Sequence, residues 1–174
     1  MLETDRLRIR RLTAADADFL LELLNDPDFL RQIGDRGVRR YEQAIRYVID
    51  GPDAMFERHG VGLMAVVEKA SGASVGICGL LRRAELEGFD LGFAFLAAAR
   101  GRGYATEASR RVLDDAISRL DLGPSVLAIT APGNDASARV LSKLGFVARG
   151  RRSLHDEGEE IELYALELPS GSVP

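Results

Sequence analysis

One stretch of the sequence decides how the rest of the chain is arranged: Arg100-Gly101-Arg102-Gly103-Tyr104-Ala105-Thr106. An alternating apolar run, 91–96, precedes it, and a strongly helical run that ends near Leu120 follows it. This pattern predicts a strand that leads through a glycine-rich turn into a helix. Backbone N–H groups of such a turn point into one small volume, and the helix N-terminus adds partial positive charge. The two glycines allow an anion close to the backbone, and the two arginines add full charges, so the stretch predicts a phosphate site.

The composition is that of an ordinary globular protein. A chain of 174 residues predicts one domain with a substantial core, and 46% apolar with 29% charged residues is typical of soluble domains. The net charge of −4 gives no reason to expect nucleic acid as a partner. A single cysteine, Cys78, excludes an internal disulfide framework. Without a leader-like apolar segment at the start or an apolar run of membrane-spanning length, the sequence predicts a cytoplasmic protein that does not contact a membrane.

The first third of the chain predicts one strand and two helices. Alternation predicts a strand over 7–10, and Thr13 with Asp16 three residues later predicts the start of a helix. We expect that helix to stop at Asn25-Asp26-Pro27 and to be followed by a loop over 28–38. A second amphipathic helix is predicted over 39–49, ended by Gly51-Pro52, with three residues turned inward: Tyr41, Ile45 and Val48.

The rest of the chain predicts a meander, a crossover helix and a final pair of strands. Apolar runs at 62–68, 75–81 and 89–96 are joined by short links typical of antiparallel strands, and Gly76 and Gly79 indicate bulges or close backbone approach. The almost wholly apolar run 126–131 predicts a central strand covered on both faces, parallel to the strand before the helix. Asn134 is expected to cap a short helix that ends at Gly145. Strands are predicted at 146–151 and 160–168, and a disordered tail over 169–174.

Arg100-Gly101-Arg102-Gly103-Tyr104-Ala105 resembles the (Gln/Arg)-x-x-Gly-x-(Gly/Ala) signature of the GCN5-related N-acetyltransferase (GNAT) superfamily. Asn134-Asp135-Ala136-Ser137-Ala138-Arg139-Val140, with Lys143-Leu144-Gly145-Phe146 after it, resembles the second half of that fold. Thr4-Asp5-Arg6-Leu7-Arg8-Ile9-Arg10 and Gly103-Tyr104-Ala105-Thr106-Glu107-Ala108 resemble the branch that acetylates ribosomal-protein N-termini, which also holds small-molecule acetyltransferases. The similarity in element order covers about residues 3 to 168.

The resemblance implies an α+β fold with a mixed, mostly antiparallel seven-stranded sheet, helices on both faces and a single N-acetyltransferase domain over 1–168. Acetyl-CoA would lie where the parallel strands 89–96 and 126–131 splay apart, its pantetheine arm paired with the first of them. The pyrophosphate would sit on the glycine-rich turn, and a backbone N–H near Phe95 or Leu96 would stabilise the developing oxyanion. The expected cofactor-binding residues are Phe95, Leu96, Arg100, Gly101, Arg102, Gly103, Tyr104, Ala105, Thr106, Asn134, Ser137 and Lys143.

The catalytic residues are less well marked than the cofactor site. Many superfamily members carry a tyrosine as general acid where this chain has Leu141, so the acid would be Ser137, a water or nothing at all. The family often places its base on the strand 89–96, whose only ionisable residue is Asp90. Asp90 would share a face with two small residues, although it could instead pair with Arg82 or Arg83 across the hairpin. Glu162 and a water chain are the other candidates for the base.

The predicted reaction is transfer of an acetyl group from acetyl-CoA to a primary amine, either a protein N-terminus or a small molecule such as a polyamine or aminoglycoside. A non-catalytic acyl-CoA-binding regulatory domain is the alternative, and a homodimer is left open. No metal is expected, because His59 and His155 lack ligand-like spacing. The acceptor walls would come from the loops 28–38, 51–60, 82–88 and 152–159. Their carboxylates suit a cationic acceptor but are equally well explained as solvated turn residues: Glu85, Glu87, Asp156, Glu157 and Glu159.

Overall fold

The described part of the chain forms an eight-stranded sheet, one strand more than the sequence predicts. The structure is a computed structural model that describes residues 1–154 and 160–169. The additional strand, β1 (Leu2–Glu3), pairs antiparallel with β2 (Leu7–Arg11), and the turn between them is closed by a hydrogen bond from Thr4 N to Leu7 O of 3.0 Å. Two residues are too few for an alternation signal, so tertiary pairing alone makes this strand.

The central part of the sheet is the predicted antiparallel meander. It consists of β3 (Leu63–Glu68), β4 (Ser74–Arg82) and β5 (Phe89–Phe95). The glycines within β4 mark close backbone approach, as predicted, because a Cβ atom built on Gly79 would lie 2.0 Å from Gly62 O. The strands at this point are packed so tightly that only a residue without a side chain fits.

The second half of the sheet begins with the predicted parallel crossover. After β5, α5 (Tyr104–Arg119) leads to β6 (Ser125–Thr130), which is parallel to β5. Next come α6 (Asp135–Leu144), β7 (Val147–Ser153) and β8 (Glu160–Glu167), and β8 pairs with both β6 and β7. The strand order is therefore β1-β2-β3-β4-β5-β6-β8-β7.

The predicted loop over 28–38 is wrong in its first part, because α2 (Pro27–Gln32) begins there. It follows closely on α1 (Ala17–Leu24), whose N-terminal turn carries the predicted Thr13–Asp16 capping box. α1 ends at Leu24, so Asn25-Asp26-Pro27 stops it as predicted, and Asp26 also starts the next helix. Its carboxylate accepts hydrogen bonds from the amides of Asp28 (2.9 Å) and Phe29 (3.2 Å). Proline suits the first helical position, since its missing N–H is not needed there.

The expected helix end at Gly51-Pro52 is also wrong. From α3 (Tyr41–Val48) the chain continues through a π-helical turn, Ile49–Asp53, into α4 (Ala54–His59). Proline near the start of a new helical segment lacks only an N–H that has no obligatory partner. Tyr41, expected to point inward, is 44% exposed, whereas Val48 is buried as predicted.

Two hydrophobic cores lie on opposite faces of the sheet. One joins α5 and α6 to the sheet, and the other joins α1, α2 and α3 to the face formed by β3, β4 and β5. In β6, Val126, Ala128 and Thr130 are buried, but Leu127 and Ile129 on the other face are only half-buried. The expectation that this strand is covered on both faces is therefore too strong, since the second core stops at β5. In the described ranges, no helix is both long and apolar enough to cross a membrane.

Substitution of Gly79 by alanine tests the close approach within the sheet. We expect Gly79→Ala to lower the free energy of unfolding by about 3 kcal/mol, because the new methyl group meets rigid backbone rather than a mobile side chain. Urea denaturation measures this change. Gly51→Ala is the matched control, since a Cβ atom there has nothing within 4 Å, and we expect a change of less than about 0.5 kcal/mol. Equal stability of the two variants would contradict the described packing.

Candidate active site

The glycine-rich turn has the geometry of an anion site. Gly101 and Gly103 adopt positive φ angles of 73° and 82°, and Gly103 is the residue that caps α5. The first backbone hydrogen bond of the helix runs from Glu107 N to Gly103 O (3.1 Å), so the amides of residues 104–106 precede the helical ladder. A Cβ atom on Gly101 would point into open space. These amides and the helix dipole form a cradle for an anion.

A carboxylate in the first turn of α5 holds this cradle in place. Glu107 accepts hydrogen bonds from Thr4 Oγ1 (2.5 Å), from Arg6 N (3.2 Å) and from Arg6 Nε (2.8 Å). Arg6 Nη1 in turn donates to the carbonyl oxygen of Arg102, within the glycine-rich turn (2.9 Å). Partial burial acts to raise the pKa of Glu107, but the hydrogen bonds from Thr4 and Arg6 outweigh it and lower the pKa. The β1–β2 turn therefore supports the cradle from behind.

The side chain of Tyr104 belongs to the same support. The guanidinium groups of Arg6 and Arg102 each lie 4.7 Å from the centre of its ring, and its hydroxyl donates to Glu68 Oε1 at 2.5 Å. Arg102 Nη2 also pairs with Glu68 Oε1 at 2.7 Å, yet its side chain is half exposed. Tyr104 is thus available to an anion through its backbone amide, and Arg102 is the exposed cation beside the cradle.

The gap between β5 and β6 opens directly in front of this turn. Among the described residues, the two strands are paired at a single position, Asp90 opposite Leu127, and beyond it they separate. The amide of Leu96 donates to Val75 O in β4 (3.0 Å). Because antiparallel hydrogen bonding alternates, the amides of Phe93 and Phe95 point the other way, into the gap. Of the two oxyanion donors expected from the sequence, Leu96 is engaged within the sheet and Phe95 faces the gap.

Arg100 is not directed at the cradle. Its Nε donates to Phe95 O (2.9 Å), while Nη1 and Nη2 reach Asp28 Oδ2 (2.5 Å) and Asp26 Oδ1 (2.6 Å). Its backbone N–H donates to Ala97 O (3.2 Å). Two carboxylates and a carbonyl oxygen thus occupy the guanidinium of Arg100, which the resemblance predicts as a cofactor contact.

The residues expected from α6 lie across the gap from β5. Asn134 caps the helix as predicted, its side-chain oxygen accepting from Ser137 N at 3.1 Å. Both residues are half-buried and follow the C-terminal end of β6, the strand on the other side of the gap from β5. Lys143 is exposed in the last turn of α6, about 9 Å further along the helix axis. Its carbonyl oxygen accepts from Arg110 Nη2 (2.9 Å), a basic residue of α5 that the sequence pattern did not single out.

Asp90 lies where the gap begins, at the single pair between β5 and β6. Its side chain is 0% exposed. Its Oδ2 is 3.0 Å from Arg83 Nε, which confirms the cross-hairpin pairing considered from the sequence. Neither carboxylate oxygen has a hydrogen bond of good direction among the described residues. Burial therefore prevails over the attraction of Arg83 and raises the pKa of Asp90 to about 6. A carboxylate with such a pKa can exchange protons near neutral pH.

The other acidic candidates are elsewhere. Glu162 lies on β8, opposite Thr130, where it accepts from Tyr164 OH (3.1 Å) and pairs with Arg151 (3.3 Å). Glu85 and Glu87 lie in the β4–β5 connection, whereas Asp156, Glu157 and Glu159 fall outside the described residues, as does the tail from 170 onward. In the part of the chain that is described, no three His, Cys, Asp or Glu side chains come together as a metal site.

Sequence comparison identifies the class of protein that this site defines. The family described as "Acetyltransferase (GNAT) domain" matches residues 6–147, so the chain belongs to the GNAT acetyltransferases. Bacillus subtilis YkkB, an uncharacterized protein, is 32% identical over 148 residues, 83% of each chain. The B. subtilis uncharacterized N-acetyltransferase YoaA is 27% identical over 178 residues, 97% of each chain. The chain is an acetyl-CoA-dependent N-acetyltransferase, and the predicted family, fold class and enzyme class are confirmed.

Solved structures show the same fold. The ribosomal-protein-S5-alanine acetyltransferase from Vibrio fischeri superposes with a TM-score of 0.72 at 19% identity, covering 97% of this chain and 96% of that one. The spermidine N-acetyltransferase from Vibrio cholerae, in complex with CoA and spermine, gives 0.74 at 16% identity, covering 94% and 96%. At these identities the likeness concerns the fold alone.

The support of the cradle by Glu107 yields a binding prediction. We expect Glu107→Gln to raise the Kd for CoA about 10-fold, because loss of one charge-assisted contact releases Arg6 and loosens the turn. Isothermal titration calorimetry with CoA measures the change. Asp115→Asn is the control, since Asp115 also pairs with an arginine on α5 but lies near the far end of the helix. If both variants bind CoA like the original chain, the cradle does not depend on Glu107.

Proposed function

We propose that this chain binds acetyl-CoA between β5 and β6 and transfers its acetyl group to a primary amine by direct attack on the thioester. One observation carries the proposal: the free amides of Phe93 and Phe95 face a gap that ends at the amide cradle of α5. An elongated ligand with amide groups at one end and a pyrophosphate at the other matches this arrangement. CoA is such a ligand.

The binding contacts follow from the two parts of the site. The pyrophosphate is held by the amides of residues 101–106, with Arg102 as the adjacent cation. The pantetheine arm pairs with the free edge of β5 as an additional strand would. The edge is available because β6 has separated from β5 beyond Asp90. Asn134 and Ser137 line the opposite side of the gap.

The reaction requires a nucleophile, an oxyanion donor and a route for one proton. The amine nitrogen attacks the thioester carbonyl carbon, a C–N bond forms, and the C–S bond breaks to release CoA thiolate. The Phe95 amide stabilises the negative charge that develops on the carbonyl oxygen. Asp90 takes the proton of the ammonium before the amine attacks, through a chain of waters, because its carboxylate is fully buried and lies about 16 Å, five residues, from Phe95 along β5. Ser137 passes a proton to the thiolate and takes one in turn from solvent water, so that it ends as the hydroxyl and CoA leaves as the thiol.

The acceptor that we propose first is the α-amino group of a protein N-terminus. An α-amino group has a pKa near ~8, against ~10 for an alkyl amine, so a single buried carboxylate suffices to deprotonate it at neutral pH. The structural neighbours are named for acceptors of both kinds, a ribosomal-protein alanine and spermidine. A panel of N-terminal peptides, polyamines and aminoglycosides, assayed by release of CoA thiol, distinguishes the two classes.

The central binding claim is tested by charge reversal in the cradle. Gly103→Glu places bulk and negative charge at the proposed pyrophosphate position, and we expect the Kd for CoA to rise at least ~100-fold. Gly123→Glu is the control, since Gly123 has a similar φ of 75° and open space around it at the other end of α5. Calorimetry on both folded variants gives the result. Unchanged CoA affinity in Gly103→Glu would remove the proposed site.

The proposed base gives a pH prediction. Only ionised Asp90 can accept a proton, and its pKa is raised to about 6, so kcat/KM should rise as the pH increases through about 6. Asp90→Asn should abolish this rise and lower kcat/KM at least ~100-fold. Glu162→Gln tests the other candidate base and should retain the profile. Thiol release with the best acceptor of the panel measures both, and an intact rise in Asp90→Asn would make Asp90 purely structural.

A further inference from the structure

Arg100 joins the end of β5 to the start of α2, two parts of the molecule whose relative position matters for the proposed reaction. Its guanidinium reaches the carbonyl oxygen of Phe95, the last residue of β5, and the carboxylates of Asp26 and Asp28. Asp26 also caps α2 through the amides of Asp28 and Phe29. A single side chain thus ties the start of α2 to the end of the strand that lines the cofactor gap.

The position of α2 explains why a link through Arg100 matters for the site. α2 belongs to the core on the face of the sheet opposite α5, the face to which Asp90, Gly92 and Ala94 point. Arg100 holds the first residues of α2 near the C-terminal end of β5, beyond the Asp90–Leu127 pair after which β5 and β6 separate. α2 also overlaps the segment 28–38 that the sequence predicts as an acceptor wall, so in the proposed reaction it would be a wall of the acceptor site.

The charges around Arg100 argue against a phosphate-binding role. Its guanidinium already has two short carboxylate partners, of which Asp26 is only 13% exposed. Turning the side chain toward an anion would break both pairs and leave the carboxylate of Asp26 half-desolvated without its cation. Partial burial acts to raise the pKa of Asp26, yet the hydrogen bonds from Arg100 and from the Phe29 and Asp28 amides lower it. Asp26 is thus held ionised as the partner of Arg100.

We propose that Arg100 is a positioning residue that couples α2 to the acyl-CoA gap, rather than a ligand of the pyrophosphate. The inference rests on the proposed function, since it takes CoA to bind along β5. Bound CoA fixes Phe95 and the turn that follows Arg100, and through the guanidinium it restrains the start of α2. By reciprocity, an ordered α2 favours CoA by the same factor. The acceptor wall is then most ordered when the donor is present.

Amide hydrogen exchange of α2, followed by mass spectrometry with and without CoA, tests this coupling. In the original chain, saturating CoA should slow exchange in residues 26–33 about 5-fold. Arg100→Lys keeps the positive charge but loses the forked guanidinium that bonds three partners. In this variant, exchange in residues 26–33 should be about 10-fold faster without CoA and should not respond to CoA. Calorimetry should show a Kd for CoA within about 3-fold of the original value.

Arg31→Lys is the matched control. Arg31 pairs with the same Asp28 at 2.5 Å, but from within α2 and with 69% of its side chain exposed, so this variant should keep the CoA response. A purely structural role for Arg100 would speed exchange but leave the response to CoA intact, which overturns the coupling. A rise of 10-fold or more in the Kd for CoA, with unchanged exchange in α2, would make Arg100 a phosphate ligand. Failure of the original chain to bind CoA would overturn the proposed function itself, whereas bound CoA without effect on α2 would overturn only the coupling.

Discussion

The alternation of backbone hydrogen bonds along β5 is the constraint on which the rest of the site depends. The hydrogen bond from Leu96 N to Val75 O shows which amides of β5 are bonded to β4. It follows that Phe93 and Phe95 present theirs to the other edge. A shift of one residue in the β4–β5 register would exchange the two sets and turn the side-chain faces over as well. The close approach at Gly79 and Gly76, where side chains have no room, keeps that register.

The other parts of the site are arranged around this strand by long-range polar contacts. At its C-terminal end, Glu107 and Arg6 brace the cradle through partners 101 residues apart in the sequence. Arg100 connects the same end of the strand to α2 across 72 and 74 residues. At its N-terminal end, burial raises the pKa of the Asp90 carboxyl to about 6. One strand thus relates the anion site, the acceptor wall and the candidate base.

The sequence predicts the features that local geometry controls. Two glycines before an apolar-periodic helix predict the turn that opens α5, and an asparagine three residues before Ser137 predicts the cap of α6. The parallel crossover follows from the helix between two apolar runs. These predictions hold because each depends on residues close to one another in the chain.

The predictions that fail depend on tertiary contacts or on an ambiguous local signal. Asn25-Asp26-Pro27 correctly predicts the end of α1, but the start of α2 is missed, although aspartate before proline is equally typical of a helix start. The motif places Arg100 beside the glycine-rich turn, but it gives no sign of the two distant carboxylates that pair with its guanidinium. The contacts of Glu107 are not foreseen from the sequence either, because Thr4 and Arg6 are brought to it only by the paired strands. No residue spacing in the sequence predicts such contacts between distant parts of the chain.

Residue-resolved amide exchange by NMR, with and without CoA, tests the central claim most directly. If CoA pairs with the free edge of β5, the amides of Phe93 and Phe95 change from fast to slow exchange when CoA is added. The amide of Leu96, bonded to Val75 in either state, exchanges slowly throughout. Bound CoA that leaves Phe93 and Phe95 exchanging as fast as before would contradict the account.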